Sequence, residues 1–232
     1  MAGVIIALDH PSRDEAMALV DRLGDAADFY KVGFELYVRA GSSVVEELRR
    51  RDKRVFLDLK FHDIPNTVSG AVRAAVDLDV EFLTVHAAGG SEMIRAAHEA
   101  AADRARILAV TVLTSLSPSD VVSVWGRPIQ SLRDEVVRLA RLAVDAGADG
   151  VVASAMEAAW LRRGLGRDAL LVTPGIRTSG EHGDQKRVAT PTDAVEAGSD
   201  YLVVGRAVTN APDPSAALEA LLAELATAQA DA

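Results

Sequence analysis

Hydrophobic positions along the chain form eight short, β-branched runs that alternate with longer segments of helical periodicity. The apolar runs are residues 4–8, 29–32, 55–59, 82–85, 107–112, 150–153, 170–173 and 201–204. The segments whose apolar positions recur every three or four residues are 13–23, 43–50, 67–78, 91–102, 132–146, 156–162, 191–197 and 216–226. Strands that alternate with helices form βαβ units around a parallel sheet. Eight units without an evident linker predict one domain over residues 1–232, an α/β fold of the single (β/α)8 TIM barrel type.

Two long irregular segments and the chain end depart from this pattern. Residues 174–188 contain three glycines and exceed the usual length of a βα loop, which predicts a binding loop or lid. Residues 116–130 are a second candidate for a mobile loop. Asp213 and Pro214 provide an N-cap and a first-turn proline for the last helix. A frayed tail is expected from about residue 227.

Composition limits the classes of function. Hydrophobic residues make up 49% of the 232 positions and charged residues 25%, as in soluble globular proteins. No apolar run reaches the roughly 18 residues of a membrane span, and no signal-peptide pattern is present, so we expect a cytoplasmic protein without a membrane partner. Cysteine is absent, which excludes disulfides and thiolate chemistry. The net charge of −9 argues against nucleic-acid binding.

The third apolar run leads into the densest group of charges in the chain. Because side chains alternate between the faces of a strand, Asp58 and Lys60 point the same way. Asp63 follows a few residues later. Charges on a buried face are costly unless they have partners or a function. This segment therefore predicts an active site.

The distribution of lysine points to the same place. Only four of the 25 basic residues are lysine, and a lineage preference for arginine explains that imbalance. Lys31 and Lys60 nevertheless each lie at the end of a predicted strand. Arginine does not release its proton near neutral pH, whereas lysine can be adapted to do so. A site that needs a proton donor favours lysine at these positions.

Polar residues also follow most of the other strands. In a (β/α)8 barrel the active site lies at the carboxyl ends of the strands. Those ends carry Asp9, Lys31, Asp58, Lys60, His86, Thr114, Ser115, Ser154, Pro174, Arg177, Gly205 and Arg206. After the eighth strand, Gly205 allows backbone amides to approach an anion and Arg206 offers a bidentate contact. This pair predicts a phosphate site, with an ordinary turn and a surface arginine as the alternative.

Metal and dinucleotide sites are not expected. The five histidines show no ligand spacing such as His-x-x-x-His. Asp9, Asp58 and Asp63 could bind Mg²⁺ in principle, but Lys31 and Lys60 would neutralise the carboxylates that a cation needs. No G-x-G-x-x-G motif follows a strand. We therefore expect no metal and no cofactor.

Taken in order, the strand ends resemble those of the orotidine 5′-phosphate decarboxylase family. The resemblance covers nearly the whole chain and is most specific in the run DLKFHDIPNT at residues 58–67. It extends to residues 7–9, 30–33, 113–115, 173–177 and 204–206. It implies decarboxylation of orotidine 5′-monophosphate to UMP in de novo pyrimidine biosynthesis, independent of metal and cofactor.

The resemblance also implies roles for the charged residues. Lys60 corresponds to the proton donor and Asp58 to the group beside the substrate carboxylate. Lys31 and Asp63 complete an alternating Lys-Asp-Lys-Asp array. In the family, the residues matching Asp63 and Thr67 come from the neighbouring subunit, which implies a homodimer with shared active sites.

The remaining matches correspond to substrate contacts. Asp9 resembles the contact to the ribose hydroxyls, and Thr114 with Ser115 resembles the contact to the pyrimidine. Pro174 lies in the matching segment after the seventh strand. The phosphate-side group is Arg177, Gln185, Gly205 and Arg206. The position of Gln185 is the least securely matched, because the length of its loop varies among these enzymes.

Two other functions and one structural explanation remain open. A Mg²⁺-dependent sugar-phosphate decarboxylase or synthase of the same suprafamily shares the Asp-x-Lys-x-x-Asp pattern, but it carries a carboxylate where this chain has Lys31. A non-catalytic barrel would bind a nucleotide without turnover. The charges could also form a stabilising network at the barrel rim, although buried ion pairs are poor stabilisers.

Overall fold

The computed structural model describes residues 2–176 and 189–230, with side chains as far as residue 228. Eight parallel strands form a closed barrel in chain order. They are β1 (Gly3–Leu8), β2 (Phe29–Gly33), β3 (Arg54–Phe61), β4 (Phe82–His86), β5 (Arg106–Val110), β6 (Gly150–Val152), β7 (Leu170–Thr173) and β8 (Tyr201–Val204). The predicted (β/α)8 barrel is confirmed.

Helices cover the outside of the barrel. They are α1 (Arg13–Leu23), α2 (Phe34–Ala40), α3 (Ser43–Arg50), α4 (Pro65–Val76), α5 (Gly90–Ala101), α6 (Pro118–Trp125), α7 (Leu132–Asp145), α8 (Ala155–Leu165), α9 (Pro191–Glu196), α10 (Arg206–Thr209) and α11 (Pro214–Ala230). All eight predicted helical segments are helices. In the part of the chain that the structure describes, none of them is both long and apolar enough to cross a bilayer.

Among the described residues, three helices were not predicted, namely α2, α6 and α10. Helix α6 lies within residues 116–130, which were expected to form a loop, so that expectation is wrong for most of the segment. The Ser117 side chain accepts a hydrogen bond from the Asp120 amide, and the Asp120 carboxylate accepts one from the Ser117 amide at 2.8 Å. This capping box, with Pro118 at the first helical position, favours helix initiation. Helices α2 and α10 are too short to show a clear period.

The last helix begins as predicted and continues to the end of the described residues. Asp213 Oδ1 accepts hydrogen bonds from the amides of Ser215 at 3.1 Å and Ala216 at 3.2 Å. A frayed tail is predicted from about residue 227, and helix α11 extends through Ala230, the last described residue. Alternate alanines in this segment explain the extension, because alanine has the highest helix propensity.

Aromatic side chains fill the amino-terminal end of the barrel. The Phe82 ring lies 5.1 Å from Phe29 and 5.0 Å from Tyr201, both edge to face. The Arg54 guanidinium lies 4.1 Å from the centre of the Phe29 ring and pairs with Glu81 at 2.7 Å. This packed layer closes one end of the barrel, so the inward positions nearer the carboxyl ends of the strands are the ones that can line a cavity.

Candidate active site

A cavity of about 530 Å³ opens at the carboxyl ends of the strands. Eight of the predicted site residues line it, namely Asp9, Lys31, Asp58, Lys60, Thr114, Pro174, Gly205 and Arg206. Apolar side chains such as Phe56, Val110, Val152 and Val203 contribute other parts of the wall. Strand alternation explains the members that lie on strands, such as Phe56 and Asp58, because every second residue faces the barrel interior. Thr114, Pro174, Gly205 and Arg206 follow the strands at their carboxyl ends. The lining combines charged and apolar groups, which suits a ligand that has a ring and an anionic substituent.

Four charged side chains form a chain of alternating sign in this cavity. Lys31 Nζ lies 3.2 Å from Asp9 Oδ1 and 3.6 Å from Asp58 Oδ2. Lys60 Nζ lies 2.8 Å from Asp58 Oδ1. Each carboxylate oxygen of Asp58 therefore faces a different ammonium group, and the residue is only 9% exposed.

The surroundings of Asp58 favour its ionised form. Burial alone would raise the pKa of the Asp58 carboxyl, but the charges of Lys31 and Lys60 and hydrogen bonds from Lys60 and Thr84 outweigh that effect. The resulting pKa lies below the ordinary value for aspartate. The site thus holds a fixed negative charge between two positive ones.

Lys60 has an unusual backbone conformation. Its φ angle is +43°, in the left-handed region, which is uncommon for a residue with a long side chain. The register between β3 and β4 shifts between Leu57 and Phe61, and the Lys60 amide donates a hydrogen bond to Thr84 Oγ1 at 2.8 Å. A bulge of this kind changes the direction in which a side chain points.

Thr84 was not predicted as a site residue. The Thr84 hydroxyl also donates a hydrogen bond to Asp58 Oδ1 at 2.9 Å, so one side chain contacts both halves of the Asp58–Lys60 pair. A polar residue at an inward position of β4, between the apolar residues Leu83 and Val85, was a readable signal. It is a weak signal, because threonine is common in strands.

Three predicted site residues lie outside the cavity that the described residues form. Asp63 and Thr67 are exposed at the start of α4, and Asp63 Oδ1 accepts a hydrogen bond from the Ile64 amide at 2.6 Å. Ser115 is exposed at a turn that the Leu116 amide closes onto the Leu113 carbonyl oxygen at 3.0 Å. The adjacent turn residue Thr114 does line the cavity, because successive turn residues point in different directions.

Two predicted residues, Arg177 and Gln185, lie outside the described residues, together with most of the segment that was expected to form a binding loop. The described flank of that segment, Pro174, Gly175 and Ile176, lines the cavity. After the neighbouring strand β8, Gly205 and Arg206 lie at the start of helix α10. The described residues that directly follow β7 and the start of α10 after β8 therefore lie at the ends of neighbouring strands, and both line the cavity.

Two other polar strand ends have local roles. The Ser154 amide donates a hydrogen bond to the Glu157 carboxylate at 2.9 Å as part of the α8 capping box. The His86 ring stacks on His62 with 5.3 Å between centroids. Burial, followed by the nearby His62 and Lys60, lowers the pKa of His86. Neither Ser154 nor His86 lines the cavity formed by the described part of the chain.

The closed barrel and the charged cavity at its carboxyl-terminal end place the chain among (β/α)8-barrel enzymes. The profile of the orotidine 5′-phosphate decarboxylase / HUMPS family matches residues 3–221. The chain belongs to this family.

Individual relatives show which members of the family this chain is similar to. An orotidine 5′-phosphate decarboxylase from Vibrio parahaemolyticus is 47% identical over 229 residues, covering 97% of each chain. One from Thermobifida fusca is 51% identical over 226 residues, covering 97% of this chain and 96% of its relative. The crystal structure of orotidine 5′-phosphate decarboxylase from Lactobacillus acidophilus matches with a TM-score of 0.86 and 41% identity, over 97% of this chain and 99% of the other.

Proposed function

We propose that this chain decarboxylates orotidine 5′-monophosphate to UMP in pyrimidine biosynthesis. The observation that carries the proposal is the Asp58 carboxylate held between Lys31 and Lys60 inside the cavity. The names of the relatives at 47% and 51% identity support the same reaction. Lys31 lies where the Mg²⁺-dependent enzymes of the suprafamily are expected to carry a carboxylate, which disfavours that alternative.

The proposed chemistry depends on fixed charges rather than on a cofactor. The bond between C6 of the pyrimidine and the carboxylate carbon breaks, CO₂ leaves, and the electron pair remains at C6. The ring delocalises this pair poorly, so a preorganised positive charge is needed as the carbanion forms. The Lys60 ammonium group supplies that charge and then transfers a proton to C6. Solvent reprotonates the resulting amine.

Asp58 and Lys31 assist the reaction by holding charges in fixed positions around Lys60. The Asp58 carboxylate lies beside the place of the substrate carboxylate and orients the Lys60 ammonium group through its 2.8 Å contact. Lys31 contacts both Asp58 and Asp9. Its positive charge therefore also offsets the negative charge of Asp9 in the cavity. Charges held in place before the substrate arrives need no reorganisation during the reaction.

The substrate is proposed to lie across the cavity from β1 to β8. Asp9 binds the ribose hydroxyls, and Thr114 with Ser115 binds the pyrimidine. Gly205 and Arg206, with Arg177 and Gln185, bind the phosphate group, and Pro174 contacts the substrate beside them. Phosphate contacts remote from C6 supply binding energy that aligns the reacting groups.

We also propose a homodimer in which Asp63 and Thr67 complete the neighbouring subunit's site. Both residues are exposed in the single chain. Exposed apolar side chains support an interface at this end of the barrel, since Ile64 is 66% exposed and Phe34 on α2 is 54% exposed. Lys60 Nζ lies 5.7 Å from the centre of the Phe34 ring, which connects this apolar surface to the cavity.

For the whole chain, we propose one domain over residues 1–232 in the cytoplasm. The absence of cysteine fits a reducing compartment. The acidic net charge of −9 supports a small-molecule substrate rather than a nucleic acid as the partner.

An absorbance assay tests the proposed reaction. Purified protein is mixed with orotidine 5′-monophosphate and EDTA, and conversion to UMP is followed for the wild type and for Lys60→Ala. A matched control is Lys53→Ala, because Lys53 Nζ donates to the carbonyl oxygens of Gly24 at 2.7 Å and Ala27 at 3.0 Å, away from the cavity.

We expect conversion with the wild type and with Lys53→Ala, and its loss in Lys60→Ala. UMP binding without turnover by the wild type would instead indicate a non-catalytic barrel. Turnover of a sugar phosphate that EDTA abolishes would indicate the Mg²⁺-dependent alternative.

A further inference from the structure

Thr84 is buried directly behind the proposed catalytic pair. Its exposed fraction is 0%, and it does not belong to the cavity lining among the described residues. The Phe82 side chain, two positions earlier on β4, packs inside the barrel, so strand alternation turns Thr84 toward the same interior. Thr84 can therefore affect the reaction only through residues that do touch the substrate.

A single hydroxyl group joins the two members of the pair. The Thr84 hydroxyl accepts a hydrogen bond from the Lys60 amide at 2.8 Å and donates one to Asp58 Oδ1 at 2.9 Å. The same Asp58 oxygen lies 2.8 Å from Lys60 Nζ. The Lys60 backbone, the Thr84 hydroxyl, the Asp58 carboxylate and the Lys60 side chain thus form a closed ring of contacts.

This ring explains how Lys60 keeps an unfavourable backbone conformation. A residue other than glycine in the left-handed region persists only where its surroundings determine the conformation. The register shift between Leu57 and Phe61 interrupts the regular pairing of β3 with β4. The Thr84 hydroxyl gives the Lys60 amide an acceptor at this interruption, and an amide without an acceptor would be costly in a buried position.

We propose that Thr84 is a positioning residue whose hydroxyl group fixes the mutual geometry of Lys60 and Asp58 for proton transfer. The inference rests on the proposed function, since Lys60 and Asp58 act in that reaction. Loss of the hydroxyl removes the acceptor for the Lys60 amide and one donor to Asp58 at the same time. The main consequence is a misplaced ammonium group, with substrate binding left largely intact.

Two variants separate the hydroxyl from the shape of the side chain. Thr84→Val keeps the branched shape and removes the hydroxyl, whereas Thr84→Ser keeps the hydroxyl and removes a methyl group. Thr111→Val is the matched control: Thr111 is also 0% exposed, its hydroxyl donates to the Val152 carbonyl oxygen at 3.4 Å, and it does not belong to the described cavity lining. Thr84→Ala is measured in addition, in case the valine variant does not fold.

Kinetics with orotidine 5′-monophosphate and binding of UMP provide the test. We expect kcat of Thr84→Val or Thr84→Ala to fall between about 10-fold and 100-fold, as for a misplaced catalytic group. KM and the Kd for UMP should stay within about threefold of the wild type, and Thr84→Ser and Thr111→Val should keep kcat within about threefold.

The acid limb of the pH profile of kcat/KM should move to higher pH in Thr84→Val, because the Asp58 carboxylate loses a hydrogen bond to its ionised form.

Several results would overturn the proposal. One is a wild-type kcat in Thr84→Val and Thr84→Ala, and another is an equal loss of kcat in Thr111→Val. A loss of activity in Thr84→Ser, or a change in KM without a change in kcat, would also contradict it. If the wild type itself does not convert the substrate, the proposed function fails, and a crystal structure of Thr84→Val or Thr84→Ala still tests the positioning. The positioning role is supported if, in that structure, the distance from Lys60 Nζ to the Asp58 carboxylate is longer by about 0.5 Å or more. It is also supported if the φ angle of Lys60 lies outside the left-handed region. An unchanged Lys60 contradicts it.

Discussion

At the scale of single residues, strand alternation together with the bulge at Lys60 accounts for the centre of the site. Asp58 and Lys60 were predicted to share a face from their spacing alone, and they lie 2.8 Å apart. Thr84 could not be assigned in the same way, because its importance comes from two hydrogen bonds across β3 and β4 rather than from its place in a motif. Sequence spacing reveals neighbours on one strand, whereas contacts between strands depend on register.

The ionised state of Asp58 gives a prediction about stability and pH. Its pKa is lowered in the folded protein, so its contribution to stability is fully present above the ordinary aspartate pKa and is lost as the pH falls through the folded pKa. We expect the free energy of unfolding of the wild type, minus that of Asp58→Asn, to be flat above about pH 5 and to decrease below it. Urea unfolding of both proteins across this range checks the prediction. A difference that grows as the pH falls would contradict it.

At the scale of elements, hydrophobic periodicity predicted the strands and most of the helices, but it missed the features that shape the site. The shift in register after Leu57 on β3 left no mark in the pattern of apolar residues. Helices α2 and α10, with seven and four residues, are shorter than a window in which a period can be recognised. Helix α6 was predictable from its capping box rather than from its period.

The aromatic layer at the amino-terminal end of the barrel gives a prediction at this scale. Phe82 is 2% exposed and packs against Phe29, Phe56 and Tyr201. Phe82→Ala should therefore lower the free energy of unfolding by about 3–5 kcal/mol. Val124→Ala, at a position that is 68% exposed, should change it by less than about 0.5 kcal/mol. Urea unfolding compares the two, and similar losses would mean that the aromatic layer is not a main source of stability.

At the scale of the whole molecule, the barrel is packed at one end and open at the other. The sequence predicted this architecture and the side on which the cavity lies, because active sites of such barrels lie at the carboxyl ends of the strands. Periodicity gave no basis for the expectation that Asp63 and Thr67 act in another subunit. That expectation came from the family resemblance, and the single chain leaves both residues exposed.

Shared active sites predict complementation between inactive variants. Lys60→Ala and Asp63→Ala dimers should each have little activity. After subunits exchange at equal concentration, mixed dimers contain one site with both native residues and one with neither. Activity should then rise to about one quarter of the wild-type value, because half of the dimers are mixed and each has one intact site. Mixed dimers that form without any recovery of activity would contradict a shared site.

The central claim is that the protein removes CO₂ from C6 of the substrate and protonates that carbon. The most direct test is to measure which hydrogen isotope C6 carries in the product. Orotidine 5′-monophosphate is incubated with the wild-type protein and EDTA in D₂O, and the product is observed by proton NMR. We predict UMP with deuterium at C6 and an unexchanged proton at C5, because the exchanged Lys60 ammonium group delivers its deuteron to the carbon that lost CO₂. Substrate that persists unchanged would contradict the decarboxylase account.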